Sequence, residues 1–121
     1  MANEEHVEIL KQGVEVWNKW REENYETVPN LIEADLRSIN LCNVNFKQAQ
    51  LTGANLTNTD LARGNLNRAE LSKSKLYGAK LDGAILNAAN LSVAILTKAS
   101  LQSANLEVFW NCGHTEKQSI L

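Results

Sequence analysis

Few side chains in this sequence could carry out chemistry. The 121-residue chain contains two histidines, His6 and His114, and two cysteines, Cys42 and Cys112. The string C-G-H at 112–114 supplies two metal ligands, whereas a zinc site takes three or four. We therefore predict no metal and no cofactor, and catalysis would require a fold that brings further groups to these residues.

Carboxylates and glycines offer two other kinds of chemistry. General acid–base catalysis uses two convergent carboxylates, and the outward candidates are Asp35, Asp60, Glu70 and Asp82. A phosphate-binding loop needs a G-x-x-x-x-G-K arrangement, which the six glycines do not form. Whether the carboxylates converge depends on the elements that carry them.

Composition indicates one globular domain without membrane contact. The chain is 44% hydrophobic and 21% charged, which is an ordinary balance. No apolar run approaches the ~20 residues of a membrane span. The N-terminus, MANEEHVEIL, lacks the basic and then apolar segments of a secretory signal. We expect a cytoplasmic protein with both cysteines reduced.

Leucine recurs every five residues through most of the chain. From 31 to 106, sixteen positions are spaced by five, and fifteen of them are leucine. A helix advancing ~100° per residue would scatter these side chains, and a flat strand would alternate their faces. They share one interior only if the chain turns once per pentapeptide, and four turns of ~90° close a coil of twenty residues. The predicted interior core is Leu31, Leu36, Leu41, Phe46, Leu51, Leu56, Leu61, Leu66, Leu71, Leu76, Leu81, Leu86, Leu91, Leu96, Leu101 and Leu106.

The repeated strings resemble a known family. ANL at 54–56, 89–91 and 104–106, ADL at 34–36 and AEL at 69–71 are similar to the A(D/N)LXX pattern of pentapeptide repeat proteins. The resemblance covers residues 29–108 and implies a bacterial source and an all-β solenoid, a right-handed quadrilateral β-helix of about four coils. Lys75, Lys80, Ile85 and Ile95 depart from the pattern, but these positions face outward.

The ends of a solenoid need covers. Residues 1–28 are the predicted N-terminal capping helix, an amphipathic helix over 4–24 whose apolar stripe includes Val7, Leu10, Val14 and Trp17. We favour this helix as a lid on the first coil over a partner-binding face. Residues 109–121 are the predicted C-terminal cap and tail, in which Phe109 and Trp110 either close the last coil or join two chains.

The predicted coils separate the reactive groups. The four carboxylates are spread over three coils and form no catalytic pair. Cys42 faces outward, and four coils separate it from Cys112, so an intrachain disulfide is excluded on geometry. We predict no enzyme, although a redox role for either exposed thiol stays open.

The outward surface favours binding. Val93 and Ile95 flank one turn of the last coil, directly beyond Lys73 and Lys75, and these four residues are the candidate interaction surface. With the apolar residues at 85 and 108, they are explained equally well by tail packing or by a homodimer through the C-terminal end. We predict a non-enzymatic interaction module with an unknown protein partner.

The alternative is a regulator of DNA processing. A gyrase-directed DNA mimic, which the resemblance suggests, needs dense negative charge, but residues 29–108 carry eight bases and six acids, a net charge of +2. A weak nucleic-acid binder would use Arg63, Arg68, Lys73, Lys75 and Lys80. These bases form a belt with only Tyr77 as an aromatic, so nucleic-acid binding is disfavoured.

Overall fold

The computed structural model of the protein describes residues 1–106 and begins with two helices. Helix α1 spans Glu4–Lys11 and helix α2 spans Val14–Glu23. The prediction of one continuous helix is wrong, because Gly13 adopts a φ of 115°, which L-residues rarely adopt. Asn3 caps α1 by accepting hydrogen bonds from the backbone N–H groups of Glu5 and His6.

The repeats are built from turns. In the first repeat the carbonyl of Leu31 accepts a hydrogen bond of 3.1 Å from the N–H of Ala34. The second residue after the central position has a φ between 56° and 70° in all fifteen repeats from Glu33 to Ser103. Since only the second middle residue of each turn has a positive φ, the turns are of type II.

Successive turns of the chain stack in parallel. Twelve parallel bridges join residues twenty apart, from Asn30 with Gln50 to Ile85 with Asn105. The bridging positions are single residues, so no longer strands form in the described part of the chain. We call residues 29–48 coil 1, 49–68 coil 2 and 69–88 coil 3, and coil 4 begins at 89. Pentapeptides stacked at intervals of twenty form columns 1 to 4, whose central residues in coil 1 are Leu31, Leu36, Leu41 and Phe46.

The central residues form the core. The fifteen from Leu31 to Leu101 are at most 6% exposed, and Leu106 is partly buried against them. Small residues two positions earlier, mostly alanines, complete the interior. Two of these are polar and buried. Thr59 donates its hydroxyl hydrogen to the carbonyl of Leu36, whereas the Ser74 hydroxyl has no hydrogen-bond partner.

The helices pack on the open end of coil 1. Leu10 and Trp17 are buried, and Val7 and Val14 are partly buried against the core. The rings of Trp17 and Phe46 lie 5.7 Å apart and nearly perpendicular, which is a favourable aromatic geometry. The helices therefore fit a cap on the solenoid.

Hydrogen bonds anchor this cap to the backbone of coil 1. The Asn45 carbonyl accepts from Trp17 Nε1 at 2.8 Å and from Arg21 Nη1 at 3.0 Å. Arg21 Nη2 also donates to the Lys47 carbonyl at 2.9 Å. On column 1, His6 Nδ1 accepts from the N–H of Asn30 at 3.0 Å. The cap thus pairs with edge groups that would otherwise lack partners.

Several predictions concern residues outside the described part of the chain. They are the cap and tail over 109–121, the apolar Val108, and the candidate chemistry of Cys112 and His114. No helix within residues 1–106 combines the length and apolar character that crossing a bilayer requires.

Candidate interaction surface

The structure brings the four predicted surface residues together. Lys75 and Ile95 are joined by a parallel bridge, and Lys73 and Val93 occupy the same repeat position in successive coils. Val93 is 57% exposed and Ile95 is 43% exposed. We call Lys73, Lys75, Val93 and Ile95 the turn patch, because Lys73 and Val93 lie within the turns that lead from column 1 to column 2, and Lys75 and Ile95 directly follow those turns.

Val93 has an unfavourable backbone conformation. Its φ is 61°, in the left-handed region. Among the fifteen residues at this repeat position, it is the only β-branched one. A β-branched side chain is a true outlier in this region because its branch crowds the backbone. Folding alone therefore favours glycine or asparagine at this position.

Two residues of column 2 that lie beside the turn patch were not among the four predicted surface residues. Tyr77 is 40% exposed, and Lys98 Nζ lies 5.8 Å from the centre of its ring. This distance allows a cation–π interaction. The repeat register could have identified Tyr77, because Tyr77 directly follows the central residue Leu76 and Lys75 directly precedes it. Column 2 therefore presents an aromatic ring and two lysines beside the apolar pair.

The upper part of column 2 is a shallow polar cleft. It has a volume of about 470 Å³ and is lined by Asp35, Arg37, Ser38, Thr57 and Asn58. Arg37 donates to both carboxylate oxygens of Asp35, at 2.8 and 2.9 Å. These hydrogen bonds lower the pKa of Asp35. The one carboxylate among the described residues of column 2 is therefore already bonded to an arginine.

The lysines of this surface have no such partner. Within residues 1–106, the ion pairs are those of Arg37 with Asp35 and of the Met1 amino group with Glu33. Lys73, Lys75 and Lys98 thus have no carboxylate within 4.0 Å among the described residues.

The reactive candidates occupy structural positions. Cys42 is half-buried, and burial, followed by a hydrogen bond to Asp60, raises the pKa of its thiol. A hydrogen bond from the backbone N–H of Ala62 lowers the pKa of Asp60. Because the thiolate is the reactive form of cysteine, this environment makes Cys42 a poor nucleophile.

The other groups do not converge on a reaction centre. Asp82 accepts hydrogen bonds from Ser100 and Gln102 one coil below, and His6 is buried in the cap. Burial lowers the pKa of His6. Residues 1–106 contain no cluster of three or more histidine, cysteine, aspartate or glutamate side chains able to hold a metal ion.

Comparisons with known proteins agree with the repeat register. The sequence model of the family described as Pentapeptide repeats matches eight copies, over residues 30–68, 49–87 and 74–107. No curated protein matches the chain.

Solved structures of pentapeptide repeat proteins resemble this chain. Rfr23 from the cyanobacterium Cyanothece 51142 is 34% identical, with a TM-score of 0.56, over 65% of this chain and 59% of that one. The protein alr5209 from Nostoc PCC 7120 is 30% identical, with a TM-score of 0.35, over 73% of this chain and 79% of that one. The match to Rfr23 therefore spans less than two thirds of that protein's length.

Proposed function

This chain belongs to the pentapeptide repeat family, whose members fold as right-handed quadrilateral β-helices, and we propose that it is a non-enzymatic scaffold that binds a protein partner through the turn patch. The observation that carries this proposal is the exposed apolar pair Val93 and Ile95, beside lysines that have no carboxylate within 4.0 Å among residues 1–106. Apolar residues at the centre of a patch with a polar rim are typical of protein interfaces.

The conformation of Val93 strengthens the proposal. An exposed valine contributes little to the core, and its left-handed φ opposes folding. A residue that weakens the fold at an exposed position is better explained by binding than by stability.

The surface charge does not favour DNA mimicry. Residues 29–106 carry five acids and eight bases, which gives a net charge of +3. A mimic of DNA needs the opposite sign in high density, so a gyrase-directed role has no support from the charge of the described solenoid.

Co-purification tests the proposed function. We would express tagged wild-type protein and a Val93→Asp, Ile95→Asp double variant in the native host, and compare the proteins that each retains by quantitative mass spectrometry. The matched control is Ile85→Asp with Ser103→Asp. Ile85 is as exposed as Ile95, at 43%, and Ser103 shares the left-handed φ of Val93.

The expected result is a partner that is retained by the wild type and the control but lost from the Val93→Asp, Ile95→Asp variant. Circular dichroism must show that both variants are folded. Equal retention by all three proteins would refute binding through the turn patch.

A homodimer through the C-terminal end is a second use of the same residues, suggested by the position of Val93 and Ile95 in coil 4. Sedimentation velocity of the same three proteins tests it. A concentration-dependent dimer that the Val93→Asp, Ile95→Asp variant fails to form would identify a second copy as the occupant.

A further inference from the structure

Resting on the proposed function, we propose that the partner presents an acidic peptide segment with an apolar side chain. Its carboxylates would bind Lys73, Lys75 and Lys98, and its apolar side chain would pack between Ile95 and Val93. This inference names the partner's chemistry, which the proposed function leaves open.

Column 2 has an excess of positive charge. Its described residues include three bases and one acid, a net charge of +2. The acid is Asp35, and both of its oxygens are bonded to Arg37 in coil 1. The uncompensated charge therefore lies lower on the column, on Lys75 and Lys98, beside the apolar pair.

The apolar and cationic side chains of coils 3 and 4 lie close together on column 2. Lys75 precedes the central Leu76 and Tyr77 follows it, while Ile95 is bridged directly to Lys75 in the next coil. Lys98 is held near the Tyr77 ring at 5.8 Å. The apolar and aromatic groups thus lie between cationic side chains, which suits a segment with carboxylates on both sides of an apolar residue.

The apolar content favours a peptide over nucleic acid. Exposed lysines pair only weakly with carboxylates in water, so charge contributes specificity and association rate more than affinity. Burial of Val93 and Ile95 would supply the rest of the affinity, and a phosphate backbone offers these side chains no apolar counterpart. Binding should therefore weaken with salt without being abolished.

Coil 1 supplies a charge-reversed variant that the fold already accommodates. The positions equivalent to Lys73 and Lys75 are occupied there by Glu33 and Asp35. The Lys73→Glu, Lys75→Asp variant therefore reproduces an existing pair of residues. Arg68→Glu with Lys80→Asp changes the total charge equally on neighbouring columns and serves as the matched control.

Phage display of random linear decapeptides on immobilised full-length protein is the first stage of the test. We expect enrichment of peptides with several aspartates or glutamates next to leucine, isoleucine or phenylalanine. Fluorescence anisotropy with the most enriched peptide should show binding at least tenfold weaker to the Lys73→Glu, Lys75→Asp variant and within twofold of wild type for the control. The same peptide with its acids replaced by lysine should bind the charge-reversed variant better than the wild type.

The outcomes separate this inference from the proposed function. Enriched peptides that are not acidic, yet are lost from the Val93→Asp, Ile95→Asp variant, would overturn the acidic partner and leave the proposed function standing. Peptide binding that neither variant weakens would overturn both. A single-stranded DNA 20-mer that binds the wild type more tightly than any peptide, and is lost on charge reversal, would identify nucleic acid as the occupant.

Discussion

Replacing Val93 with asparagine should make the protein more stable. A non-glycine residue in the left-handed region costs roughly 1–2 kcal/mol, and a β-branched residue lies at the upper end. Asparagine tolerates this conformation far better because its short polar side chain can hydrogen-bond locally. Relief of this strain should contribute about 1–1.5 kcal/mol.

The loss of valine contacts offsets only part of this gain. Full burial of a valine side chain contributes about 1.5 kcal/mol or more, but Val93 is 57% exposed. Because asparagine keeps part of the remaining contact, the loss should be about 0.3 kcal/mol on that scale. The net expectation is a gain of about 1 kcal/mol, which is a rise in Tm of about 4 °C for a domain of this size.

Urea unfolding followed by circular dichroism measures this change. Ala88→Asn is the matched control, since Ala88 has nearly the same φ, 60°, without a β-branch, and its gain should be smaller. If Val93→Asn were less stable than wild type while Ala88→Asn gained stability, valine would contribute packing that outweighs its strain. The left-handed φ of Val93 would then no longer support the proposal that this residue serves binding.

Three further predictions concern the cap and the core. Because burial lowers the pKa of His6, the unfolded chain binds a proton first as pH falls below about 6.5, so Tm should fall from that pH down to the lowered pKa. His6→Asn, which keeps an acceptor for the Asn30 N–H, should reduce this dependence, and an unchanged pH profile would exclude His6 as its cause. Ser74→Ala should raise the unfolding free energy by about 1 kcal/mol, because it removes a buried hydroxyl that has no partner. Thr59→Val should lower it by a similar amount, and denaturant titrations that reversed these signs would contradict the interior hydrogen bonding. Leu66→Lys should abolish cooperative thermal unfolding by burying a charge in the stack, whereas Lys80→Asn should stay within about 0.5 kcal/mol of wild type; tolerance of the lysine would refute the inward register.

The stacking of the solenoid could be predicted because leucine spacing constrains the backbone directly. A side chain that recurs every five residues can enter one interior only if the chain turns at the same interval, so the pattern required turns without any tertiary information. The spacing also predicted which residues lie beside each other in successive coils. For this reason the repeat register alone is enough to predict that Lys75 and Ile95 are neighbours.

Local backbone geometry and polar contacts were harder to predict. The apolar stripe of the cap runs smoothly through Gly13, and hydrophobic spacing carries no signal for its φ of 115°. Arg21 is a charged residue of the kind expected on a solvent-exposed helix face, yet it is only 6% exposed. It is buried because its guanidinium donates hydrogen bonds to two backbone carbonyls of coil 1. The hydrogen bond between Cys42 and Asp60 likewise depends on side-chain contacts between adjacent coils, which the leucine spacing does not specify.

Because parallel bridges join residues twenty apart, the geometric effect of an insertion or deletion in the repeats can be predicted. Twenty residues inserted after Ala88 would add one layer and move Val93 and Ile95 about 4.8 Å farther from Lys73 and Lys75 in the same direction. Five residues inserted there would instead carry the valine to column 2 and the isoleucine to column 3, so that neither would stack on Lys73 or Lys75. Whole-layer changes therefore adjust spacing, and single-pentapeptide changes redirect the displayed side chains, so a small number of duplications could generate new surfaces from one unchanged core.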